Sequence, residues 1–276
     1  MRDGLRVRPL QINSPPIDHV SITNQKEHTM KKPTGFVIYR GPSLLDGTPI
    51  VAVALLGSSN RKTGNMVQTY ILRDDMRPTL AVQTGADSAI CGNCKHRPSL
   101  GGACYVVVAQ GPTVVFKTMQ AGKYPDALPA DVGTMVAGRM VRLGTYGDPA
   151  AVPAYVWQDL TAQAQGRTGY THQWANEALP MDHRADIAKL TMASVDTVEE
   201  AQQARASGLR YFRIRVATET LQDREFVCPA SEEGGKRKLC DTCGACNGTT
   251  KSTGASPVII VHGNKARRFS EQRAGA

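Results

Sequence analysis

The stretch KLTMASVDTVEEAQQARASGLRYFRIRV, residues 189–216, decides the fold class. It starts with a predicted strand over residues 189–196, continues with a helical pattern from Val198 to Gly208, and ends with a second predicted strand over residues 209–216. A helix that ends at glycine between two short strands is typical of a crossover between parallel strands. The stretch therefore predicts an α/β fold with a parallel sheet.

The same alternation extends outward from this stretch. Further strands are predicted at residues 80–84, 140–144, 167–172, 225–228 and 257–261, with helices at residues 113–121 and 150–165. Nearer the N-terminus, two apolar runs at residues 50–56 and 66–72 flank a turn-rich loop, which predicts a β-hairpin. We divide the chain into a flexible polar arm (1–33), a β-hairpin element (34–78), an α/β region (79–262) and a basic tail (263–276).

All seven cysteines fall into two groups, which are Cys91, Cys94 and Cys104, and then Cys228, Cys240, Cys243 and Cys246. The spacings Cys-x2-Cys-x9-Cys and Cys-x11-Cys-x2-Cys-x2-Cys are typical of loops that wrap around a metal. Four thiolates fill the coordination of a zinc ion or an iron–sulfur cluster, whereas three leave one position open. The alternative is a pair of structural zinc sites, with His96 completing the first.

The charge balance indicates the kind of partner. Lys and Arg exceed Asp and Glu, which gives a formal net charge of +9 at pH 7. A chain this basic is expected to meet a polyanion such as nucleic acid, although excess charge also aids solubility. No apolar run is long enough to span a bilayer and no apolar signal segment is evident, so we expect a cytoplasmic protein without a membrane partner.

Chemically capable side chains accompany successive predicted strands: Gly147 and Asp148, Tyr170 and His172, Ser194 and Asp196, and Arg213 and Arg215. Because sites in α/β folds form at the carboxyl ends of strands, we expect these residues and both cysteine groups to gather over one face. Each residue alone also has a structural explanation. Asp148 fits a turn, His172 fits a buried structural histidine, and Ser194 or Asp196 could cap the helix that begins near Val198.

The order of these motifs resembles the radical SAM superfamily, and more closely its bacteriophage-encoded members. The motifs are the three-cysteine loop, Gly-Asp-Pro at 147–149, Tyr-Thr-His-Gln-Trp at 170–174, Ser-Val-Asp at 194–196 and the C-terminal four-cysteine loop. The resemblance implies a partial (β/α) barrel with the β-hairpin element at its N-terminal side. The superfamily usually has the spacing Cys-x3-Cys-x2-Cys, and the present spacing departs from it. A relative that kept the barrel and lost the radical chemistry therefore remains an alternative.

The resemblance also implies roles for individual residues. Cys91, Cys94 and Cys104 would hold a [4Fe–4S] cluster whose fourth iron is chelated by S-adenosylmethionine. Gly147 and Asp148 would bind the amino group of the methionine moiety, since a carboxylate can accept charge-assisted hydrogen bonds from an ammonium. Ser194 and Asp196 would lie near its ribose and carboxylate end, and Arg213 or Arg215 would pair with its carboxylate. Cys228, Cys240, Cys243 and Cys246 would hold an auxiliary iron–sulfur cluster.

The implied activity is reductive cleavage of S-adenosylmethionine to a 5′-deoxyadenosyl radical, with electrons from a reductant protein. The basic charge and the phage-like relatives suggest a nucleic-acid or nucleotide substrate. We expect an isomerase or transferase that rearranges or tailors a modified base of phage DNA in the host cytoplasm. A base in a duplex would have to be flipped out, with Tyr170 and His172 as catalytic residues and Trp174 as a further pocket wall.

Two other functions fit parts of the sequence. The first is a transglycosylase-like base-exchange enzyme, with Asp148 or Asp196 as the nucleophile and a structural zinc held by the last three cysteines and His262. The second is a non-catalytic, zinc-stabilised protein that binds nucleic acid through its basic ends.

Overall fold

A nine-stranded sheet is the centre of the fold, in a computed structural model that describes residues 32–57, 63–249 and 254–275. Residues Pro33–Ala276 form one compact unit. The arm predicted for residues 1–33 lies outside the described residues except for its last two positions, as does the tip of the predicted hairpin loop at residues 58–62.

The strands are β1 (Gly35–Pro42), β2 (Pro49–Leu55), β3 (Val67–Arg73), β4 (Met140–Tyr146), β5 (Gly166–Thr171), β6 (Met192–Val195), β7 (Tyr211–Arg215), β8 (Glu225–Val227) and β9 (Ser256–Ile260). The helices are α1 (Pro78–Thr84), α2 (Ser88–Cys91), α3 (Gly111–Gln120), α4 (Pro129–Met135), α5 (Ala154–Thr161), α6 (Met181–Leu190), α7 (Val198–Ala206), α8 (Cys240–Cys243) and α9 (Ala266–Ala274).

The sheet is mostly parallel, which confirms the predicted α/β class. Its order is β1-β2-β3-β4-β5-β6-β7-β9-β8, and every pair from β3 onward is parallel. The predicted hairpin is present as the antiparallel pair β2 and β3, and β1 adds a further antiparallel strand. The sheet is open, with β1 and β8 as its edges.

The two faces of the parallel strands have different neighbours, because successive side chains point to opposite faces. On β4, Val141 and Leu143 belong to the main hydrophobic core, together with Trp157 of α5 and Ile187 of α6. On β7, Tyr211 packs in a smaller cluster that includes alanines of α7. The intervening residues of the same strands face a cavity instead, and these positions form what we call the cavity face.

Three local predictions are corrected. Residues 80–84 form helix α1 rather than a strand, because Pro78 starts the helix and Gly85, in the left-handed conformation, ends it. Residues 189 and 190 belong to α6, so the strand β6 starts only at Met192. Thr197, rather than Ser194 or Asp196, caps α7 through a capping box with Glu200.

Helix lengths also bear on the membrane. The longest helices among the described residues have ten residues, and none is long and apolar enough to cross a bilayer.

Candidate functional site

A single cavity of about 350 Å³ collects most of the predicted functional residues. All seven cysteines line it, and all seven are free thiols. The predicted residues Gly147, Asp148, Tyr170, His172 and Ser194 line it as well. This convergence could not be read from the sequence, in which the first and last cysteines lie 155 residues apart. We call this space the central cavity.

The three-cysteine loop, residues 91–104, lies at the carboxyl ends of the parallel strands. After β4, the backbone N–H of Asp148 donates to the carbonyl of Ile90 over 2.6 Å. After β5, Gln173 Nε2 donates to the carbonyl of Cys91 over 3.0 Å. Arg97 holds the loop internally through two hydrogen bonds to Asp87 Oδ1. This position of the loop agrees with the prediction.

A charged cluster ties the same loop to the end of β6. His96 Nε2 lies 2.6 Å from Asp196 Oδ2, and Lys95 Nζ lies 3.0 Å from the same oxygen. Lys95 also reaches Glu200 of α7. Burial alone would raise the pKa of Asp196, but the hydrogen bond and the charges of His96 and Lys95 outweigh it and lower that pKa to about 2. Asp196 is therefore engaged by the loop itself and does not line the central cavity.

The four-cysteine segment, residues 228–246, lies differently from the prediction, because its last three cysteines are at the amino ends of the strands. Arg210, just before β7, donates to the carbonyls of Ala245 and Gly248 over 2.9 and 3.0 Å. The backbone N–H of Asn65, just before β3, donates to Asp241 Oδ2 over 3.2 Å. The three-cysteine loop and the last three cysteines therefore face the central cavity from opposite ends, and do not gather over one face.

Asp148 is held in place by three donors. Its Oδ1 accepts from Thr171 Oγ1 over 2.7 Å and from the backbone N–H of Ala150 over 3.0 Å, and its Oδ2 accepts from the backbone N–H of His172 over 2.7 Å. Burial raises the pKa of Asp148 to about 6, although these hydrogen bonds act in the opposite direction. The carboxylate thus lines the central cavity in a fixed orientation and is largely ionised at pH 7.

Several buried polar atoms at the carboxyl end have no hydrogen-bond partner among the described residues. They include the hydroxyl of Tyr146 and Nε2 of His172, and both residues line the central cavity. Burial lowers the pKa of His172 to about 4, so its imidazole is neutral at pH 7. Unsatisfied groups of this kind are costly unless a ligand or water completes them, so they indicate a ligand-binding region.

Tyr170 lies toward the opposite end of the central cavity. Its ring packs against Phe212 with centroids 4.9 Å apart, and its side chain hydrogen-bonds to Cys246. Its predicted catalytic partner His172 lies instead at the carboxyl end, where its ring meets His96 at 5.6 Å. The two residues predicted to be catalytic therefore serve different ends of the cavity.

Arg213 and Arg215 occupy the other face of β7 and do not line the central cavity. Arg213 pairs with Glu225 over 2.6 Å, with both side chains fully buried, and with Glu219 over 2.8 Å. Arg215 pairs with Glu233. The structure therefore does not bring the predicted carboxylate-binding arginines to the site.

Trp174 and His262 do not lie where the roles considered from the sequence require, although His262 lines the central cavity. Trp174 donates its indole N–H to the carbonyl of Ser194 over 3.1 Å and does not line the central cavity. His262 follows the carboxyl end of β9 and packs against Tyr105 with ring centroids 5.5 Å apart. It is thus at the end of the three-cysteine loop, and not beside the last three cysteines as the zinc alternative requires.

The thiols are arranged for metal binding only in part. Burial raises the pKa of Cys94 and of Cys246 to about 12, so both remain protonated until a cation binds. Among the described residues, no three His, Cys, Asp or Glu side chains are yet arranged to hold a metal ion. Tetrahedral zinc would need thiol sulfurs about 3.8 Å apart. The thiols are the donor type that a thiolate-bound metal or cluster uses, but the described side chains are not grouped to hold one.

Several lining residues were missed by sequence reasoning. Arg142 of β4 and Phe212 and Ile214 of β7 occupy cavity-face positions, and Lys265 and Phe269 come from α9 and the residue before it. Alternation along β4 and β7 could have identified two candidate faces. Nothing in the sequence of the predicted basic tail indicates that Phe269, only 3% exposed, packs near His96 with ring centroids 5.6 Å apart.

Comparison with protein-family models, with curated proteins and with solved structures found no match to this chain.

Proposed function

We propose that this protein is a radical SAM-type iron–sulfur enzyme that acts on a nucleobase or nucleotide. The observation that carries the proposal is the single cavity lined by all seven free thiols, with the three-cysteine loop at one end and the last three cysteines at the other. One metal would not need seven thiolates, whereas a three-thiolate cluster and a four-thiolate cluster would use all of them.

The order of elements supports the finer fold assignment in this proposal. β3, the first of the parallel strands, is followed by the three-cysteine loop, and β4 is followed by Gly147 and Asp148. Helices cover one face of the parallel strands, while the other face lines the central cavity. An open sheet with this division is compatible with a partial (β/α) barrel of the radical SAM type.

Cys91, Cys94 and Cys104 would hold the cluster that binds S-adenosylmethionine, and the remaining four cysteines would hold the auxiliary cluster. When bound, the first cluster and S-adenosylmethionine would supply one-electron reduction and hydrogen-abstracting radical chemistry. The three-thiolate set suits this role because it leaves one coordination position open for a ligand.

The chain's own polar groups at this end would position the cofactor. Asp148 presents an oriented carboxylate to the central cavity, suited to the ammonium group of the methionine moiety. The Tyr146 hydroxyl can donate a hydrogen bond, and the neutral His172 Nε2 can accept or donate one according to its tautomer. Ser194 lines the same cavity and offers a further hydroxyl.

The walls of the central cavity support a planar substrate. A volume of about 350 Å³ cannot admit a duplex. Tyr170 and Phe212 provide aromatic walls next to which a base could stack. A base in phage DNA would therefore have to be flipped out, while a free nucleotide would enter directly.

The test is anaerobic reconstitution with iron and sulfide, reduction with dithionite, and measurement of 5′-deoxyadenosine released from S-adenosylmethionine. We expect release by the wild type, none by the C91S/C94S/C104S variant, and at least about a tenfold decrease for Asp148→Asn. Asp186→Asn is the matched control, because that carboxylate is on the exposed side of α6 and pairs only with Lys189 there. Iron-loaded wild type that binds S-adenosylmethionine but never cleaves it would contradict the proposal.

A further inference from the structure

The four-cysteine segment has a charge requirement that follows from its ligands. Four thiolates around Zn²⁺, or around a [4Fe–4S] cluster of charge +2, give a complex of net charge −2. Cys246 is buried, and much of the surrounding cavity wall is apolar, including Pro257 and Ile259. A buried dianion is expensive unless cations or hydrogen-bond donors compensate it.

Arg142 is one cation that faces these thiols. It occupies the cavity face of β4, lines the central cavity, and forms no salt bridge with a carboxylate among the described residues. Its buried Nε has no hydrogen-bond partner there. The charge of Arg142 acts on three acidic groups, which are Cys240, Tyr70 and Tyr170. At Cys240 it lowers the pKa of the thiol, against the larger effect of burial, which raises that pKa.

Arg210 is the second cation. It is only 7% exposed, and its guanidinium donates to Asn247 Oδ1 and to carbonyls on both sides of the last cysteine, but to no carboxylate in the described part of the chain. Its charge interacts favourably with Cys246. A buried guanidinium without an anionic partner is as costly as a buried thiolate without a cation, and each would relieve the other.

The opposite end of the central cavity provides a comparison. Three thiolates around a [4Fe–4S] cluster of charge +2 give a net charge of −1. Lys265 lines the cavity at that end and interacts with Cys104, and within the described residues it has no carboxylate in salt-bridge contact. Lys265 therefore faces the three thiols at one end of the cavity much as Arg142 faces the thiols at the other.

We propose that Arg142 and Arg210 are the countercharges of a dianionic metal–thiolate complex at the four-cysteine segment. The inference rests on metal binding in the proposed function, but it holds equally for an iron–sulfur cluster and for zinc. It assigns to Arg142 a positioning role toward the metal complex, distinct from any contact with substrate.

The test uses Zn²⁺ alone as the probe, titrated anaerobically into the reduced full-length protein against a competing chelator. The C91S/C94S/C104S background restricts binding to the four-cysteine segment. We compare this background protein with three variants made in it, which are Arg142→Gln, Arg142→Lys and Lys265→Gln. Circular dichroism of each protein confirms that the fold is retained, and Co²⁺ substitution reports thiolate ligation through its sulfur-to-metal absorption.

We expect Arg142→Gln to weaken Zn²⁺ binding about tenfold, because it removes one nearby charge from a half-buried site. Arg142→Lys should restore most of the affinity, and Lys265→Gln should leave it unchanged. Equal affinities for the background protein and its Arg142→Gln variant would overturn the inference while leaving the metal site intact. A background protein that binds no Zn²⁺ at its four cysteines would overturn both the inference and the proposed auxiliary cluster.

Discussion

The two cysteine groups share a short Cys-Gly-x-Cys turn, yet the chain holds them in different ways. The three-cysteine loop is tied by charged side chains, through Arg97 with Asp87 and through His96 and Lys95 with Asp196. The four-cysteine segment is tied mainly by one buried arginine, Arg210, which donates to backbone carbonyls.

The polar groups that surround the two cysteine groups also differ. Near the three-cysteine loop lie Asp148, the unpartnered Tyr146 hydroxyl and the neutral His172. Near the last three cysteines, the cavity wall offers chiefly the thiols themselves, Tyr170 and Arg142. The polar groups that could contact a ligand thus lie at the carboxyl ends of the strands, whereas the other end presents mainly thiols and an arginine.

We expect the largest effect from a substitution that destabilises the four-cysteine segment. Arg210→Met removes hydrogen bonds from buried carbonyls and an amide, which should lower the free energy of unfolding by about 4 kcal/mol. Urea denaturation measures this change. Arg267→Met is the matched control, because the exposed Arg267–Glu271 pair should contribute less than about 1 kcal/mol. Similar small losses in both variants would show that Arg210 does not hold the segment.

A second test compares the two Cys-Gly-x-Cys turns directly. Gly92 has φ 56° and ψ −133°, a conformation that is nearly restricted to glycine, and an added Cβ would lie 2.5 Å from Gln173 Oε1. Gly244 has φ 60° and ψ 12°, in the ordinary left-handed region, with an added Cβ no closer than 3.9 Å to its neighbours. We expect Gly92→Ala to cost about 3 kcal/mol and Gly244→Ala about 1 kcal/mol. Thermal and urea unfolding measure the loss of stability in each variant. A larger loss for Gly244→Ala than for Gly92→Ala would contradict this prediction.

The third test uses low pH to distinguish the ion pairs of Asp196 from the hydrogen bonds that Arg210 donates to backbone carbonyls. The pKa of Asp196 is lowered to about 2 in the folded protein, so its contribution to stability is complete above about pH 4 and is lost as the pH falls toward 2. Asp196→Asn should therefore cost about 2 kcal/mol at pH 7 and little near pH 2. Urea unfolding of both proteins across this range measures the difference. A pH-independent difference would mean that the charge of Asp196 does not hold the loop, whereas Arg210 stays charged throughout.

The regular part of the fold could be predicted because its patterns are local. The run from β6 through α7 to β7 has apolar strands and a helix ended by Gly208, and the structure follows it closely. Helix α6 was missed because its sequence carries a weak apolar stripe, with only Ile187 and Leu190 buried. Short apolar runs such as residues 80–84 suit a strand or a helix equally, and Pro78 with Gly85 decided between them.

The sequence could predict which residues contribute to the candidate site, but not where they lie in it. The sequence identifies the cysteines, Asp148 and His172, because each chemical type stands in a distinctive spacing or after a strand. It does not show which face of β7 carries the functional groups, since Arg213 is buried by acidic partners 6 and 12 residues away. Nor does it show at which strand ends residues 240–246 lie, because that position depends on contacts with distant backbone such as Asn65.

The most direct test of two separate thiolate sites is the iron content of three reconstituted proteins: the wild type, C91S/C94S/C104S and C240S/C243S/C246S. We expect about eight iron atoms in the wild type and about four in each variant. We also expect S-adenosylmethionine to perturb the electron paramagnetic resonance spectrum of reduced C240S/C243S/C246S, and not that of C91S/C94S/C104S. Folded variants that each lose all of their iron, or a wild type that takes up only zinc, would contradict the account.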